Sequence, residues 1–297
     1  MITTNTNTNA TTTPTTRAAL GRAIRADWSA VVQAALNNGL PRKVARLALK
    51  SLPKGTLRLA GTSAKVEKGA DAQGVLPGVV YLGGASAHAA LCKWATPGCI
   101  ATCLGEKSGR LAFKTGRPPQ AWKTALFLGA YDSFLALALF DMGSLARKAR
   151  ALGAQAALRF DGASDTGVAQ ALIPHAQAQG VQLWDYTKSI GRAQAQNLPG
   201  ETWHVTLSYP GKDKRTGRPA LTAPYIGHVV GGGSCAVVVD VPKGKALPTT
   251  WWGLPAIDGD LSDLRFLDPK GVVVLLRTKG SKRNARAAKR TGFALSV

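Results

Sequence analysis

Short apolar runs and stretches of helical period alternate along the chain from about Val79 onward. Residues 156–160, 181–184 and 203–207 are mostly apolar runs typical of strands covered on both faces, and residues 168–179 have the period of a helix. Repeated β-α-β units at these short spacings require right-handed crossovers and parallel strands. They fit either a barrel-like closure or an open sheet. We predict an α/β fold with a parallel-strand, TIM-like barrel, whole or partial.

The chain divides into four predicted segments. Residues 1–16 are rich in Thr and Asn, a low-complexity composition that predicts disorder. Residues 17–75 form a basic helical appendage, in which apolar positions at helical spacing predict two short helices over residues 17–52. Such a pair could be a DNA-binding unit or an ordinary packing hairpin. Residues 76–276 are the predicted α/β barrel, and residues 277–297 are a predicted basic C-terminal tail.

Polar side chains follow the predicted strands where each strand ends. Asp161 and Asp165 come directly after one strand, and Asp185 and Lys188 follow the next. The carboxyl ends of parallel strands converge on one face, where ligands bind and catalytic groups gather. We therefore predict these four residues as catalytic groups that hold a cation, orient a ribose hydroxyl or supply acid and base. A helix cap or a turn is the alternative role for any one of the aspartates.

Three of the four cysteines lie within twelve residues, at Cys92, Cys99 and Cys103, with the spacing C-x6-C-x3-C. Nothing at the N-terminus reads as a secretory signal, so we expect reduced thiols in the cytoplasm of a cell. Clustered thiolates suit an iron–sulfur cluster or zinc, and His88 is a candidate fourth ligand. The alternative is that one or two of these cysteines are small buried hydrophobic residues near a turn.

The charge of the chain indicates a polyanionic partner. Lys and Arg number 38 against 16 Asp and Glu, a formal net charge of +22, which exceeds what solubility requires. DNA or RNA is the predicted partner. No run of eighteen apolar residues exists, so we predict no membrane partner. The candidate nucleic-acid-binding residues are Arg277, Lys279, Lys282, Arg283, Arg286, Lys289 and Arg290.

Several short motifs in a fixed order resemble a known family. They are C-x6-C-x3-C and residues 108–110 (SGR), 159–165 (RFDGASD), 185–188 (DYTK), 204–208 (HVTLS), 257–260 (IDGD), 263–266 (DLRF) and 279–280 (KG). From about Tyr81 to Phe293 the chain resembles the gene product 88 family of phages and other mobile elements. That family implies little about activity.

The layout of these motifs also resembles a radical S-adenosylmethionine barrel. In both, a three-cysteine loop follows an early strand and polar residues follow the later ones. This resemblance implies an iron–sulfur cluster and S-adenosylmethionine as cofactors. The spacing departs from the C-x3-C-x2-C typical of those enzymes, which puts the reaction in doubt.

Two functions of different classes follow. The first is an enzyme of a phage or mobile element that acts on nucleic acid or a nucleotide, with a three-cysteine iron–sulfur or metal site at the mouth of the barrel. The second is a non-catalytic nucleic-acid-binding protein for replication or regulation, in which the thiols are structural.

Overall fold

The computed structural model describes residues 16–62, 64–67, 70–107, 111, 115–195, 201–213 and 215–297. Residues 1–15 of the segment predicted to be disordered, and the SGR motif at residues 108–110, lie outside this part of the chain. Within it, no helix is both long enough and apolar enough to cross a membrane.

The described chain begins with three helices, α1 (Arg17–Ala26), α2 (Trp28–Asn37) and α3 (Arg42–Ser51). Thr16 starts α1, because its hydroxyl accepts a hydrogen bond from the backbone N–H of Ala19 at 3.2 Å. The first predicted helix is divided at Asp27, so there are three helices where the sequence pattern predicted two. Their apolar stripes are buried in the main core, and α2 and α3 pack against a later helix, α6 (Arg117–Gly129).

The remaining helices connect or flank the strands. Helix α7 (Tyr131–Ala151) has Lys148 and Arg150 in its last turn, where positive charges interact favourably with the helix dipole. The bounds of the remaining helices are α4 (Ala64–Glu67), α5 (Pro97–Ala101), α7 (Tyr131–Ala151), α8 (Ile173–Gln179), α9 (Ile190–Ala195), α10 (Ala223–Val230) and α11 (Lys282–Arg290).

Nine strands form one mostly parallel sheet in the order β1-β2-β3-β4-β5-β6-β9-β8-β7. Only the pairings of β1 with β2 and of β7 with β8 are antiparallel among the described strands. The strands are β1 (Ala60–Gly61), β2 (Val75–Val80), β3 (Gln155–Arg159), β4 (Val181–Thr187), β5 (Trp203–Ser208), β6 (Ser234–Val239), β7 (Thr250–Trp251), β8 (Leu254–Asp258) and β9 (Val272–Arg277).

The structure confirms the α/β class and the parallel strands, but the predicted TIM-like barrel is corrected to an open sheet. Strands β2 to β6 follow chain order, as they would in a barrel. The order then passes to β9 and back to β8, and the short antiparallel strands β1 and β7 stand at the two edges. Because each edge strand pairs on one side only, the described strands do not close.

The two faces of the sheet carry different partners, since side chains alternate along each strand. One face, with Leu158, Leu183 and Val205, belongs to the main core that includes residues of α1 to α3 and α6 to α10. The other face carries Trp184, whose indole N–H donates to the carbonyl of Asp263 at 2.9 Å. Toward the carboxyl ends of the strands this second face is left open, and the candidate site lies there.

Candidate functional site

A cavity of about 560 Å³ lies at the carboxyl ends of the parallel strands. Its walls are mostly apolar or aromatic, and Tyr81, Tyr186 and Phe293 line it. The strands contribute alternate side chains from their open face, such as Ser208 at the end of β5 and Leu276 in β9. A cavity of this size suits a small ligand or a single nucleotide, since small-molecule sites occupy about 300–1,000 Å³.

All three clustered cysteines line this cavity. Cys92 follows a single turn of 3₁₀-helix and forms an isolated parallel bridge with Asp165. Cys99 lies on α5, where its backbone N–H donates to the hydroxyl of the cap residue Thr96 at 3.3 Å. Cys103 lies just beyond that helix. All four cysteines of the chain are free thiols.

The surroundings keep Cys92 and Cys103 protonated when no cation is bound. Burial raises the pKa of Cys92 far above its ordinary range, and the neighbouring Cys99 and Cys103 raise it further. Burial also raises the pKa of Cys103 to about 11, although backbone N–H groups of Gly105 and Glu106 oppose the shift. Binding a cation to these sulfurs would therefore release protons.

No three Cys, His, Asp or Glu side chains among the described residues are arranged to hold a single metal ion. His88, predicted as a candidate fourth ligand, is not among the described residues that line the cavity. Its Nδ1 accepts a hydrogen bond from the backbone N–H of Ala90 at 3.1 Å, which makes it the cap of a short 3₁₀ turn.

Two of the four predicted catalytic residues lie in the same recess as two of the cysteines. Asp165 and Lys188 line a recess of about 90 Å³ together with Cys92 and Cys99. The Asp165 carboxylate accepts from the backbone N–H of Lys188 at 3.0 Å and from Arg192 at 2.6 Å. The Lys188 ammonium in turn donates to Ser208 Oγ at 2.9 Å.

Asp161 and Asp185, the other two, are buried and do not line the cavity. Asp185 alternates with Tyr186 along β4, so its side chain points to the opposite face of the sheet. The Asp161 carboxylate accepts hydrogen bonds from Ser164 Oγ at 2.6 Å and from the backbone N–H of Gly167 at 2.8 Å. The structure thus gives both aspartates a loop-holding position, and a catalytic role for them stays a prediction.

A buried ion pair that the strand-end pattern did not select forms one wall of the cavity. Arg159 donates to Asp263 at 2.9 Å, and its guanidinium lies 4.7 Å from the centre of the Tyr186 ring. Both Arg159 and Tyr186 occupy alternate positions on the open face, in step with Trp184 and Lys188. That period of two is the sequence signal that could have identified them.

The predicted nucleic-acid residues fall into two groups. Arg277 ends β9 and pairs with Asp258 at 2.9 Å, and Lys279 pairs with Asp260 at 2.6 Å. Lys289 pairs with Asp240 at 3.0 Å. The remaining cations are exposed on α11 and have no ion pair in the described structure; they are Lys282, Arg283, Arg286 and Arg290.

Comparison with known proteins adds a family and no activity. No curated protein and no solved structure matches the chain. The sequence model of one family, gene product 88, matches residues 53–294, which include every described strand, all three cavity cysteines and all of α11, but not helices α1 to α3. Because this match covers most of the chain, the protein belongs to the gene product 88 family.

Proposed function

We propose that this protein is a phage or mobile-element enzyme that acts on nucleic acid or a nucleotide, with an iron–sulfur or metal site formed by Cys92, Cys99 and Cys103. The observation that carries the proposal is the convergence of three thiols and Lys188 on one cavity at the carboxyl ends of parallel strands. In parallel α/β proteins this edge is where ligands bind and catalytic groups gather.

The donor set agrees with an iron–sulfur cluster in kind, since such clusters are held by cysteine thiolates. The described residues offer no ready three-ligand arrangement around one ion. A cluster occupies more space, so its cysteine ligands stand farther apart around it. Backbone N–H groups of Gly105 and Glu106 already stabilise the thiolate of Cys103, as hydrogen bonds to sulfur do in such sites. Zinc remains the alternative metal in this proposal.

A bound cluster would supply one-electron chemistry, and S-adenosylmethionine is the co-substrate implied by the resemblance to radical enzymes. The residues of the chain would position the substrate and exclude water. The apolar walls would limit the water around a bound substrate, and the Asp165–Arg192 pair fixes the backbone of Lys188. The Lys188 ammonium is thereby presented to the cavity beside the cysteines.

The position of α11 supports a nucleic-acid or nucleotide substrate. Asn284 and Ala288 of this helix line the cavity, whereas its other side carries exposed cations without ion pairs. One helix therefore joins the mouth of the cavity to a surface that attracts phosphates.

Anaerobic purification tests the metal site. We expect a brown protein with a broad absorption near about 400 nm, and iron and sulfide in the ratio of a cluster. The variants Cys92→Ala, Cys99→Ala and Cys103→Ala should each lose most of the iron. Cys235→Ala is the matched control, because Cys235 is fully buried in β6 and does not line the cavity. A protein that binds neither iron nor zinc after anaerobic reconstitution would contradict the proposal.

The second candidate is a non-catalytic nucleic-acid-binding protein, and one observation favours it. Besides the cations of α11, helix α3 exposes Arg42, Lys43, Arg46 and Lys50, with no ion pair in the described structure. A colourless protein with stoichiometric zinc that binds DNA or RNA would select this function over the first.

A further inference from the structure

Four cations among the described residues line the large cavity, and they differ in their partners. Arg159 is paired with Asp263, Arg277 with Asp258, and Lys279 with Asp260. The ammonium of Lys188 has no carboxylate within ion-pair distance in the described structure, and it donates to the uncharged hydroxyl of Ser208. A partly buried cation without a counter-charge is costly, because the apolar surroundings solvate it poorly. The cavity therefore holds an excess positive charge at Lys188.

Hydrogen bonds hold both the backbone and the side chain of Lys188 in place. Its N–H donates to Asp165, whose carboxylate is also neutralised by Arg192 at 2.6 Å, so Asp165 does not cancel the charge of the ammonium. The ammonium lies 5.5 Å from the centre of the Phe293 ring. Since Ser208 Oγ accepts from Lys188, its own proton is available to donate to a ligand. The Lys188 ammonium and the Ser208 hydroxyl are thus two neighbouring hydrogen-bond donors for one ligand group.

The space around this pair matches a small anionic group attached to a larger apolar or aromatic one. Lys188 and Ser208 line the recess of about 90 Å³ that Cys92, Cys99 and Asp165 also line; it has room for one phosphate or carboxylate. The recess adjoins the cavity of about 560 Å³, whose walls include Tyr81, Tyr186 and Phe293. Aromatic side chains of this kind stack on nucleobases.

We infer that Lys188 and Ser208 bind the anionic oxygen group of a small ligand, and that this group is the phosphate of a single nucleotide. The inference names the substrate class of the proposed function and rests on it for the nucleotide. The aromatic walls take the base, and the ammonium and hydroxyl take the phosphate, with charge-assisted hydrogen bonds that are stronger than neutral ones.

Calorimetric titration of the full-length protein, without and with reconstituted iron, tests the inference. The probes are the four ribonucleoside 5′-monophosphates, the matching nucleosides, inorganic phosphate and acetate. We expect at least one monophosphate to bind tenfold or more tightly than its nucleoside. Lys188→Met should remove that advantage, and Ser208→Ala should weaken the monophosphate by about two- to tenfold, as loss of one neutral hydrogen bond does. Lys148→Met, an exposed lysine on α7, should bind as the wild type does.

Several other results would decide between the inference and its alternatives. Unchanged affinity of Lys188→Met for the monophosphate would overturn the inference, as would the absence of saturable binding by any anionic probe at about 10 mM, a concentration that detects even millimolar affinities. Loss of iron from Lys188→Met with phosphate binding intact would show that Lys188 balances the charge of a cluster; that result overturns the inference and keeps the proposed metal site. Acetate bound more tightly than phosphate would likewise overturn the nucleotide assignment. A colourless protein that binds the monophosphate through Lys188 would support the inference and discard the cluster.

Discussion

The backbone N–H of Asp161 donates to the carboxylate of Asp185 at 2.7 Å, which ties the loop after β3 to the neighbouring strand β4. The other carboxylate oxygen of Asp185 accepts from the indole of Trp203 on β5 at 3.2 Å. One buried carboxylate therefore joins three adjacent strands near the edge where the cavity opens. Buried polar groups that are paired in this way fix a unique arrangement, because leaving any member unpaired is costly.

Asp161 extends this network and gives the first prediction. Its carboxylate accepts from the backbone N–H groups of Thr166 at 3.0 Å and Gly167 at 2.8 Å. Asp161→Asn places an amide where donors converge, so we expect the free energy of unfolding to fall by about 1–3 kcal/mol. Urea denaturation measures the loss. Asp71→Asn, at an exposed aspartate, should change stability by less than about 0.5 kcal/mol. If the Asp161→Asn variant were as stable as the wild type, the Asp161 carboxylate would not stabilise the loop, and catalysis would be the only role left for it.

The second prediction concerns a close approach between helix α2 and helix α6. Gly129, the last residue of α6, faces the backbone of α2 so closely that an added Cβ would overlap the carbonyl oxygen of Val31. Because the obstacle is backbone, Gly129→Ala must push the helices apart, at a cost of about 2 kcal/mol or more. Gly191→Ala is the matched control: it lies in α9 with nothing within 4 Å of the added carbon. We expect that change to stabilise the protein by about 0.5–1 kcal/mol, measured by the same denaturation.

The sequence could predict the elements whose signals are local. The expected helix over residues 168–179 is present as a 3₁₀ segment, Val168–Leu172, followed by α8, and the run at residues 203–207 is β5 at Trp203–Ser208. Parallel pairing followed from the alternation of strands and helices, and it brought the cysteine loop to the same edge as Lys188. Each of these features depends on neighbours in sequence or on the handedness of crossovers.

The features that could not be predicted depend on contacts between distant residues. The open sheet results from β8 and β9 exchanging places and from the short edge strands, which have no strong sequence pattern. The pairing of Arg277 with Asp258 likewise joins positions that only the sheet brings together. The position of Asp185, in contrast, could have been predicted. The alternation of side chains along its strand already places Asp185 on the face opposite Lys188, so the two residues need not have been assigned to one site.

The third prediction is a dependence of stability on pH. Burial, reinforced by Arg265, His228 and Lys270, lowers the pKa of His204 from its ordinary value of 6.5 to about 4. Between these values the unfolded chain binds a proton that the folded protein excludes, so His204 stabilises the fold above pH 6.5 and this contribution is lost as the pH falls toward 4. The stability of the wild type relative to His204→Gln should therefore decrease by about 3 kcal/mol from pH 7 to pH 4.

Urea denaturation across that pH range measures the difference, in which the titrations of all other groups largely cancel. His175→Gln provides the comparison, because His175 is exposed on α8. A stability difference that does not vary with pH for His204→Gln would mean that His204 is solvated in the folded protein.

The last prediction separates the two groups of basic residues near the C-terminus. A cation that is already paired with a carboxylate has less to gain from a phosphate, because it must first give up its partner. Neutralising the unpaired cations Lys282, Arg283, Arg286 and Arg290 with Gln should therefore flatten the plot of log K against log salt for duplex DNA by up to about 3.6 units, at roughly 0.9 per phosphate contact. Filter binding or fluorescence anisotropy across a salt series measures the slope.

A control that removes three charges from another helix, against four from α11, distinguishes a specific surface from net charge. Neutralising Arg147, Lys148 and Arg150, which are exposed on α7, should leave the slope within about one unit of the wild type, since only cations that contact phosphates release counterions. Equal slopes for the α11 variant and the wild type would show that α11 carries solvated charges only. Wild-type protein that binds neither duplex nor single strands at about 50 mM salt, where electrostatic binding is strong, would remove nucleic acid as a partner and leave the cavity to a free small molecule.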